Sequence, residues 1–368
     1  SLGTLFPRLG DLQTQMDIDK ATLGFALIGL PLGVQVTLLF ADRLVRRFNF
    51  RFVLMVGIPL LGISQVLVAL SESPYTFAGI LMLGGAAIAV IEVAVNLEAD
   101  RVEANIGHRI MNRSHAYWSF GFFGAGILGA GFSQLGISPF SHFALITVLS
   151  SVLTILFFAK YDAAKARRQS VVETNKGFVW PSKGIFLLVF FSLSAMLVEG
   201  ASIDWSVIFM RDIFNTVPLV SGLSLALAAI AQGIIRYFAD QFVDKHGPEK
   251  VSLYSLIAMV LGVGCVVFSF APVTALLGFL LMGGGSAVIF PLAMSAAAQR
   301  IDKTPEENVA SLAQFVFVIF LLAPPILGFV GEHAGLRWSF ALCFPLLLVS
   351  FFTIHSLNVQ KDDKKNLL

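Results

Sequence analysis

The chain is 368 residues long, 57% apolar and only 13% charged, with a formal net charge of +2. Charged residues usually make up about a quarter of a soluble protein, and no soluble interior of this size hides so much apolar surface. The charge balance gives no global field for nucleic acid, and Cys265 and Cys343 sit in apolar runs with neither a metal spacing nor a disulfide framework. Membrane lipid is therefore the expected surrounding, and no metal or cofactor is expected.

Runs of roughly 20 apolar residues, enough to cross hydrocarbon, recur along the chain. They predict spans at 21–41, 52–70, 75–99, 111–132, 141–159, 184–209, 218–238, 251–270, 273–298, 308–330 and 340–356. The stretch 1–12 is too short to cross and reads as the outer end of an interrupted twelfth span, so the numbered chain is expected to begin inside its first span. It carries no basic leader or small-residue cleavage site, which argues against a signal peptide.

Lysine and arginine fix the orientation. Twenty fall on one set of connections, Arg43 to Arg51 and Lys160 to Lys183 among them, and four on the other: Arg8, Lys20, Arg211 and Arg337. The positive-inside bias puts the crowded side in the cytoplasm. With twelve spans both full-length termini lie there, in a multi-pass protein of the inner (plasma) membrane.

Self-comparison reveals a repeat at half the chain. Phe40-Ala41-Asp42-Arg43 recurs 198 residues later as Phe238-Ala239-Asp240-Gln241, and Gly79 to Val102 aligns with Gly278 to Ile301 at an offset of 199. Further on, Ile127-Leu128-Gly129 and Gly136 match Ile326-Leu327-Gly328 and Gly335. The chain is expected to be two like-oriented six-helix bundles, 1–159 and 184–368, joined by a polar cytoplasmic linker at 160–183. The fold class is all-α and integral to the membrane, with twelve transmembrane helices in two pseudo-symmetric bundles.

Two such halves describe the major facilitator superfamily, and the motifs carry the resemblance further. Asp42-Arg43-Leu44-Val45-Arg46-Arg47 resembles that superfamily's G-x-L-x-D-R-x-G-R-R loop between the second and third spans, with Arg46 in place of the acid. The second copy keeps the acid as Asp244 and the base as Lys245. The resemblance implies a cytoplasmic gate built from Asp42, Arg46, Arg47, Asp240, Asp244 and Lys245, and a binding site near the midplane between the halves. Glu92-Val93-Ala94-Val95-Asn96 and Tyr117-Trp118-Ser119-Phe120-Gly121 resemble the E-x-A-x-N and F-N-S-F-G of the branch holding the fucose–proton symporter. Glu199 to Trp205 and Pro324-Pro325-Ile326-Leu327-Gly328 resemble a related bacterial inner-membrane group of unassigned substrate.

A charge in hydrocarbon costs at least about 2.5–3.5 kcal/mol, so retained polar side chains ask for a reason. Glu92 lies roughly 25 Å into its span at 1.5 Å per residue, with Asn96 a turn further along the same face. It is a candidate to carry a coupling proton; the alternative is a structural, permanently protonated carboxyl. Glu199, with Ser202 at i+3, is the second candidate. Asp204 is either simply hydrated or part of the site, and Trp205 either stacks on a solute or sits in the interfacial aromatic belt. His115 has a pKa range suited to a proton relay, at a depth where hydration is the plainer reading, and Trp118 follows at i+3. Gln314 closes a polar stripe with Asn308 and Ser311, in repeat register with His115. All these residues are expected to line or border a central opening.

Arg236 reads as a snorkelling or clamp residue, and Glu98, Asp100 and Glu103 as solvated. Pro291 stands where Glu92 stands in the first half, so the first half is expected to carry the ionic chemistry. No G-x-x-x-x-G-K-[ST], H-E-x-x-H or potassium-filter sequence supports an ATPase, a membrane enzyme or a channel. The expected function is secondary active transport by a monomer, most simply proton-coupled symport of a small polar solute such as a sugar or polyol. The alternative is proton-driven export of drugs or metabolites.

Overall fold

The computed structural model describes residues 2–107, 110–164 and 180–358, the side chains of Asp42, Arg46, Asn112 and Glu306 excepted. Every regular element among them is helical. Two 3-10 turns and α1 (Leu9–Met16) form the shortened first span; α2 (Lys20–Leu27) and α3 (Gly29–Phe48) form the second. Then come α4 (Phe50–Val68), α5 (Pro74–Ile106), α6 (Met111–Gln134) and α7 (Pro139–Phe158). The second half holds α8 (Lys183–Phe214), α9 (Pro218–His246) and α10 (Pro248–Val267). It ends with three interrupted spans: α11 (Pro272–Ser286) with α12 (Ile289–Gln299), α13 (Pro305–Val316) with α14 (Val318–His333), and α15 (Leu336–Ala341) with α16 (Cys343–Thr353).

Among the described residues ten helices are long and apolar enough to cross a membrane, against eleven complete spans expected. The difference is α6, which has the length at 24 residues but whose glycines, serines and His115 dilute its apolar run. Of the expected linker, 165–179 lies outside the described residues.

Local chemistry sets the ends of these helices. Six of them open on a proline (Pro74, Pro139, Pro218, Pro248, Pro272 and Pro305), where the missing N–H is one the helix would leave unbonded anyway. Side-chain oxygens of Asp19, Asn49, Ser73, Ser138, Ser182 and Thr304 cap six N-termini. The expected loops after the second and eighth spans are nearly absent. α3 and α9 run on through the Asp42 and Asp240 motifs, and a single residue, Asn49 or Gly247, separates each from the next helix. Both motifs are therefore helical, not looped.

The duplication is visible in the backbone itself. Left-handed φ occurs at Asp17 and Asn215, at Asn49 and Gly247, and at Gly136 and Gly335, each pair one repeat apart. The packing repeats too. A Cβ on Gly85 would lie 2.1 Å from the Leu30 carbonyl oxygen, and one on Gly283 would lie 2.1 Å from that of Ala228. The two contacts join corresponding helices of the two halves, with the glycines one position out of register, and in each the helix backbones touch with no side chain between them.

Between the bundles, α6 packs along α9, and α2 along α14, whereas α3 barely meets α14. The tight contacts cluster at one end. A Cβ on Gly24 would stand 2.4 Å from the Pro324 carbonyl oxygen, and one on Gly222 would stand 2.2 Å from the Ala130 Cβ. At the opposite, basic end two carboxylates expected to be solvated are engaged. Glu98 is 5% exposed and accepts from the Tyr161 hydroxyl and the Ala164 N–H at 3.0 and 2.6 Å. Glu103 accepts from the Met111 N–H at 2.8 Å, at the start of α6.

Gly222→Leu should force α6 and α9 apart. We expect a loss of about 1–3 kcal/mol, the usual range for overpacking, read as a lower unfolding temperature in detergent, while Gly121→Leu, whose Cβ would meet nothing within 4 Å, should change little.

Candidate functional site

Between the bundles lies a recess lined from α6, α8, α9 and α11. α6 supplies Trp118 and Phe122, α8 supplies Glu199, Ser202 and Ile203, and α9 supplies Leu225, Ala228, Ala229 and Gln232. Trp118 keeps 43% of its surface exposed and lies against Phe122, with 4.3 Å between ring centroids.

Glu199 of the recess wall is held in an ion pair by Arg236, which stands next to the recess and is not itself among the lining residues. Arg236 Nη2 donates to Glu199 Oε2 at 3.4 Å, with the two side chains 13% and 11% exposed. Its Nε donates to the Ala287 carbonyl at 3.2 Å and its Nη1 to the Ser119 hydroxyl at 3.4 Å. Pro291 explains the first of these bonds. It has no N–H to offer the carbonyl four residues back, so α11 ends at Ser286 and α12 begins at Ile289. The Ala287 oxygen is left for the arginine. In the first half Glu92 holds the equivalent place, and α5 runs unbroken.

Ser119 links the halves. Its buried hydroxyl on α6 accepts from Arg236 and donates to Gln232 Oε1 on α9 at 3.1 Å. His115, a turn earlier on α6, lies within electrostatic reach of both Arg236 and Glu199. The ionic chemistry thus sits in the second half, against expectation. An arginine and a glutamate inside successive apolar runs were the available signal, because unlike charges in hydrocarbon seek each other.

Of the residues expected here, Trp118, Glu199 and Ser202 line the recess and His115 borders it. The Ser202 hydroxyl turns back to the Val198 carbonyl at 2.8 Å. Asp204, five positions from Glu199, stands about 140° around the helix at 3.6 residues per turn and is partly buried. Trp205 is fully buried, its ring 3.0 Å from where a Gly328 Cβ would stand; it packs helices here, in place of stacking on a solute or sitting in an interfacial belt. Glu92 is exposed and Asn96 partly exposed on α5, and neither is among the lining residues. Gln314 is exposed on α13 outside the recess. Its stripe is structural: Asn308 donates to the Arg300 carbonyl at 3.0 Å and Ser311 to the Asn308 carbonyl at 3.0 Å.

The expected gate residues lie on α3 and α9. The side chains of Asp42 and Arg46 lie outside the described residues, Arg47 lies over the Phe48 ring at 5.6 Å, and Asp244 and Lys245 are exposed. Asp240 has a partner.

At the basic end Arg113 of α6 lies over the Tyr237 ring of α9 at 5.4 Å, and ion pairs join the bundles at the other end. Lys20 Nζ of α2 is 3.1 Å from Asp212 Oδ2 of α8 and 3.8 Å from Glu332 Oε2 of α14. Its backbone N–H donates to the same Glu332 oxygen at 3.0 Å. Arg211 reaches from α8 to the Gly10 carbonyl and to Gln13 Oε1 of α1, at 3.0 and 2.8 Å.

A family model described as the Major Facilitator Superfamily matches residues 1–319 and again 186–367. The chain belongs to the Major Facilitator Superfamily. Among relatives, an uncharacterized transporter of Sinorhizobium fredii is 30% identical over 352 residues, 93% of this chain and 89% of that protein. Among solved structures, a mutant of the nucleoside transporter NupG superposes with a TM-score of 0.74 at 13% identity, covering 96% of this chain and 95% of that one. The E. coli fucose:proton symporter FucP, also solved as a mutant, gives 0.56 at 16% identity, covering 96% of each chain. As a superfamily member the chain is a multi-pass membrane protein whose paired bundles share that fold.

Arg236→Ala should be strongly destabilising, by about 3–5 kcal/mol, because it leaves the Glu199 carboxylate buried and unpaired. The double replacement Arg236→Met with Glu199→Leu should recover most of that loss in thermal unfolding, short of the part due to the unbonded Ala287 carbonyl.

Proposed function

We propose that this superfamily member is a secondary active transporter that moves a small polar solute by alternating access, coupled to proton uptake as a symporter. The observation that carries the reading is the recess beside the Glu199–Arg236 pair, lying between two bundles that Lys20, Asp212 and Glu332 clasp at one end. A wall that holds a titratable carboxyl against a cation can take a proton and a solute in one step. A clasp of partly exposed ion pairs is weak enough to open, since such pairs contribute no more than about 1 kcal/mol each.

By the positive-inside bias the basic end lies in the cytoplasm of the inner (plasma) membrane, so the clasp faces outward. Transport then requires the Lys20 clasp to break while contacts form at the basic end, where Arg47, Asp244 and Lys245 stand exposed. Glu199, not Glu92, is the first candidate for the coupling proton, because it lines the recess. We read the unit as a monomer with halves 1–159 and 184–368 and the linker 160–183. Solved proteins of like fold include a nucleoside transporter and a fucose:proton symporter, which supports a small solute as cargo.

Reconstituted vesicles test this directly. Addition of a transported solute should raise the external pH of a lightly buffered suspension. Glu199→Gln should still exchange solute yet fail to accumulate it, while Glu92→Gln should accumulate normally. Concentrative uptake by Glu199→Gln with unchanged pH dependence would sink the assignment.

A further inference from the structure

We infer that the recess selects a small organic anion with an apolar body, its carboxylate received by Arg236 as Glu199 takes up a proton. This inference rests on the transport reading above and adds the charge and shape of the cargo.

The lining argues for the apolar body. Phe122, Ile203, Leu225, Ala228 and Ala229 present hydrocarbon to the recess. The two serine hydroxyls and the Gln232 carbonyl oxygen among them already have partners. The Ser202 hydroxyl donates to the Val198 carbonyl at 2.8 Å, the Ser286 hydroxyl to that of Gly283 at 3.1 Å, and Gln232 Oε1 accepts from Ser119 at 3.1 Å. A sugar or polyol would bring several hydroxyls into this wall and leave most of them without partners, each at a desolvation cost. A hydrocarbon ring or short chain meets the wall on its own terms and has the exposed Trp118 to lie against.

The charge argument comes from Arg236. A guanidinium has five N–H donors and cannot lose its proton in a protein. Three donors are used here, and the bonds to Ser119 and Glu199 are 3.4 Å long, against about 2.7–2.9 Å for a tight charge-assisted bond. The arginine is moored by the Ala287 carbonyl and Ser119 as well as by Glu199, whereas Glu199 is held by Arg236 alone among the described residues. Exchange therefore runs one way. A proton from solution can discharge Glu199, and the fixed cation then needs a new anion. A solute carboxylate supplies it, so the pair is neutral before and after, having gained one proton and one anion.

Other cargoes fail this balance. A cationic solute could reach Glu199 only by displacing a guanidinium that stays charged in hydrocarbon. A neutral solute leaves Arg236 unmatched once Glu199 is protonated. The charged and titratable groups facing Glu199 are Arg236 from α9 and His115 from α6; α11 and α12 carry none, and Glu332 and His333 stand at the far end of α14. A protonated His115 would add to the same preference for an anion.

The test uses the purified protein in detergent and three probes, benzoate, phenylacetate and 3-phenylpropionate, each against its primary amide. Binding is read by tryptophan fluorescence and by thermal shift. At least one acid should bind about tenfold or more tightly than its amide, with the preference growing on acidification. Glu199→Gln should hold that preference at neutral pH, and the uncharged double variant Arg236→Gln with Glu199→Gln should lose it. Equal affinity for acid and amide, no binding of either, or a preference that survives in the double variant would overturn the inference. Vesicles keep the two readings apart: accumulation of a neutral sugar with no preference for acids removes the anion but leaves the transporter. An acid that binds as described and is never moved removes the transporter but leaves the anion site.

Discussion

Arg236 is a permanent cation inside a span, and hydrocarbon offers it nothing to bond except protein. Much of the middle of the molecule is arranged around that fact. Pro291 gives up an N–H so that the Ala287 carbonyl is free, Glu199 supplies the countercharge, and Ser119 reaches in from the other bundle. Any one of these alone would leave a guanidinium partly unsatisfied at a cost of several kcal/mol. Together they fix where α8, α9 and the break in the tenth span stand relative to one another. They also make the recess sensitive to charge, because its wall is held by the same pair that a proton would undo.

The four cations on the sparsely charged side show the same economy. Arg8 is 2% exposed and bonds Asp11 and the Ile137 carbonyl. Lys20 and Arg211 join the bundles, and Arg337 donates to the Val267 and Ser269 carbonyls at 2.7 Å each. Topology gives no reason for basic residues there, and each one found there bonds to other elements. On the crowded side the bias itself is reason enough, and Lys245 is simply exposed.

The fold was legible because its two strongest signals are physical and redundant: apolar runs of membrane length, and a repeat that carries its turns and glycine contacts with it. Asn49 and Gly247 differ as residues yet share a left-handed φ, which shows the duplication preserved in conformation where the letters have drifted. The site was only half legible. Glu199, Ser202 and Trp118 could be picked because polar or amphipathic groups in apolar runs are conspicuous. Arg236 was read as a snorkelling or clamp residue, but its partners were not legible, because distance along a helix does not say how far a long side chain reaches back. Glu92, picked for its depth, is exposed and outside the recess lining, because depth in the membrane does not say which way a side chain points. Trp205 illustrates the same limit, since an indole suits a site, an interface or a core, and only packing against Gly328 decided for the core.

The single-residue connections at Asn49 and Gly247 bear on how such a molecule can move. Two long helices joined by one residue, which also serves as C-cap of the first and N-cap of the second, behave as a stiff hairpin with almost no slack at the elbow. A rocking motion must then find its compliance elsewhere. The chain offers it at interrupted helices: Ile28 before Pro31, Ala287 before Pro291, and Leu342 before Pro345. One of those soft points is the carbonyl to which Arg236 is tied. A change in the charge of the recess therefore pulls on a joint, and in that sense the binding wall and the bending axis of the tenth span are one piece of machinery.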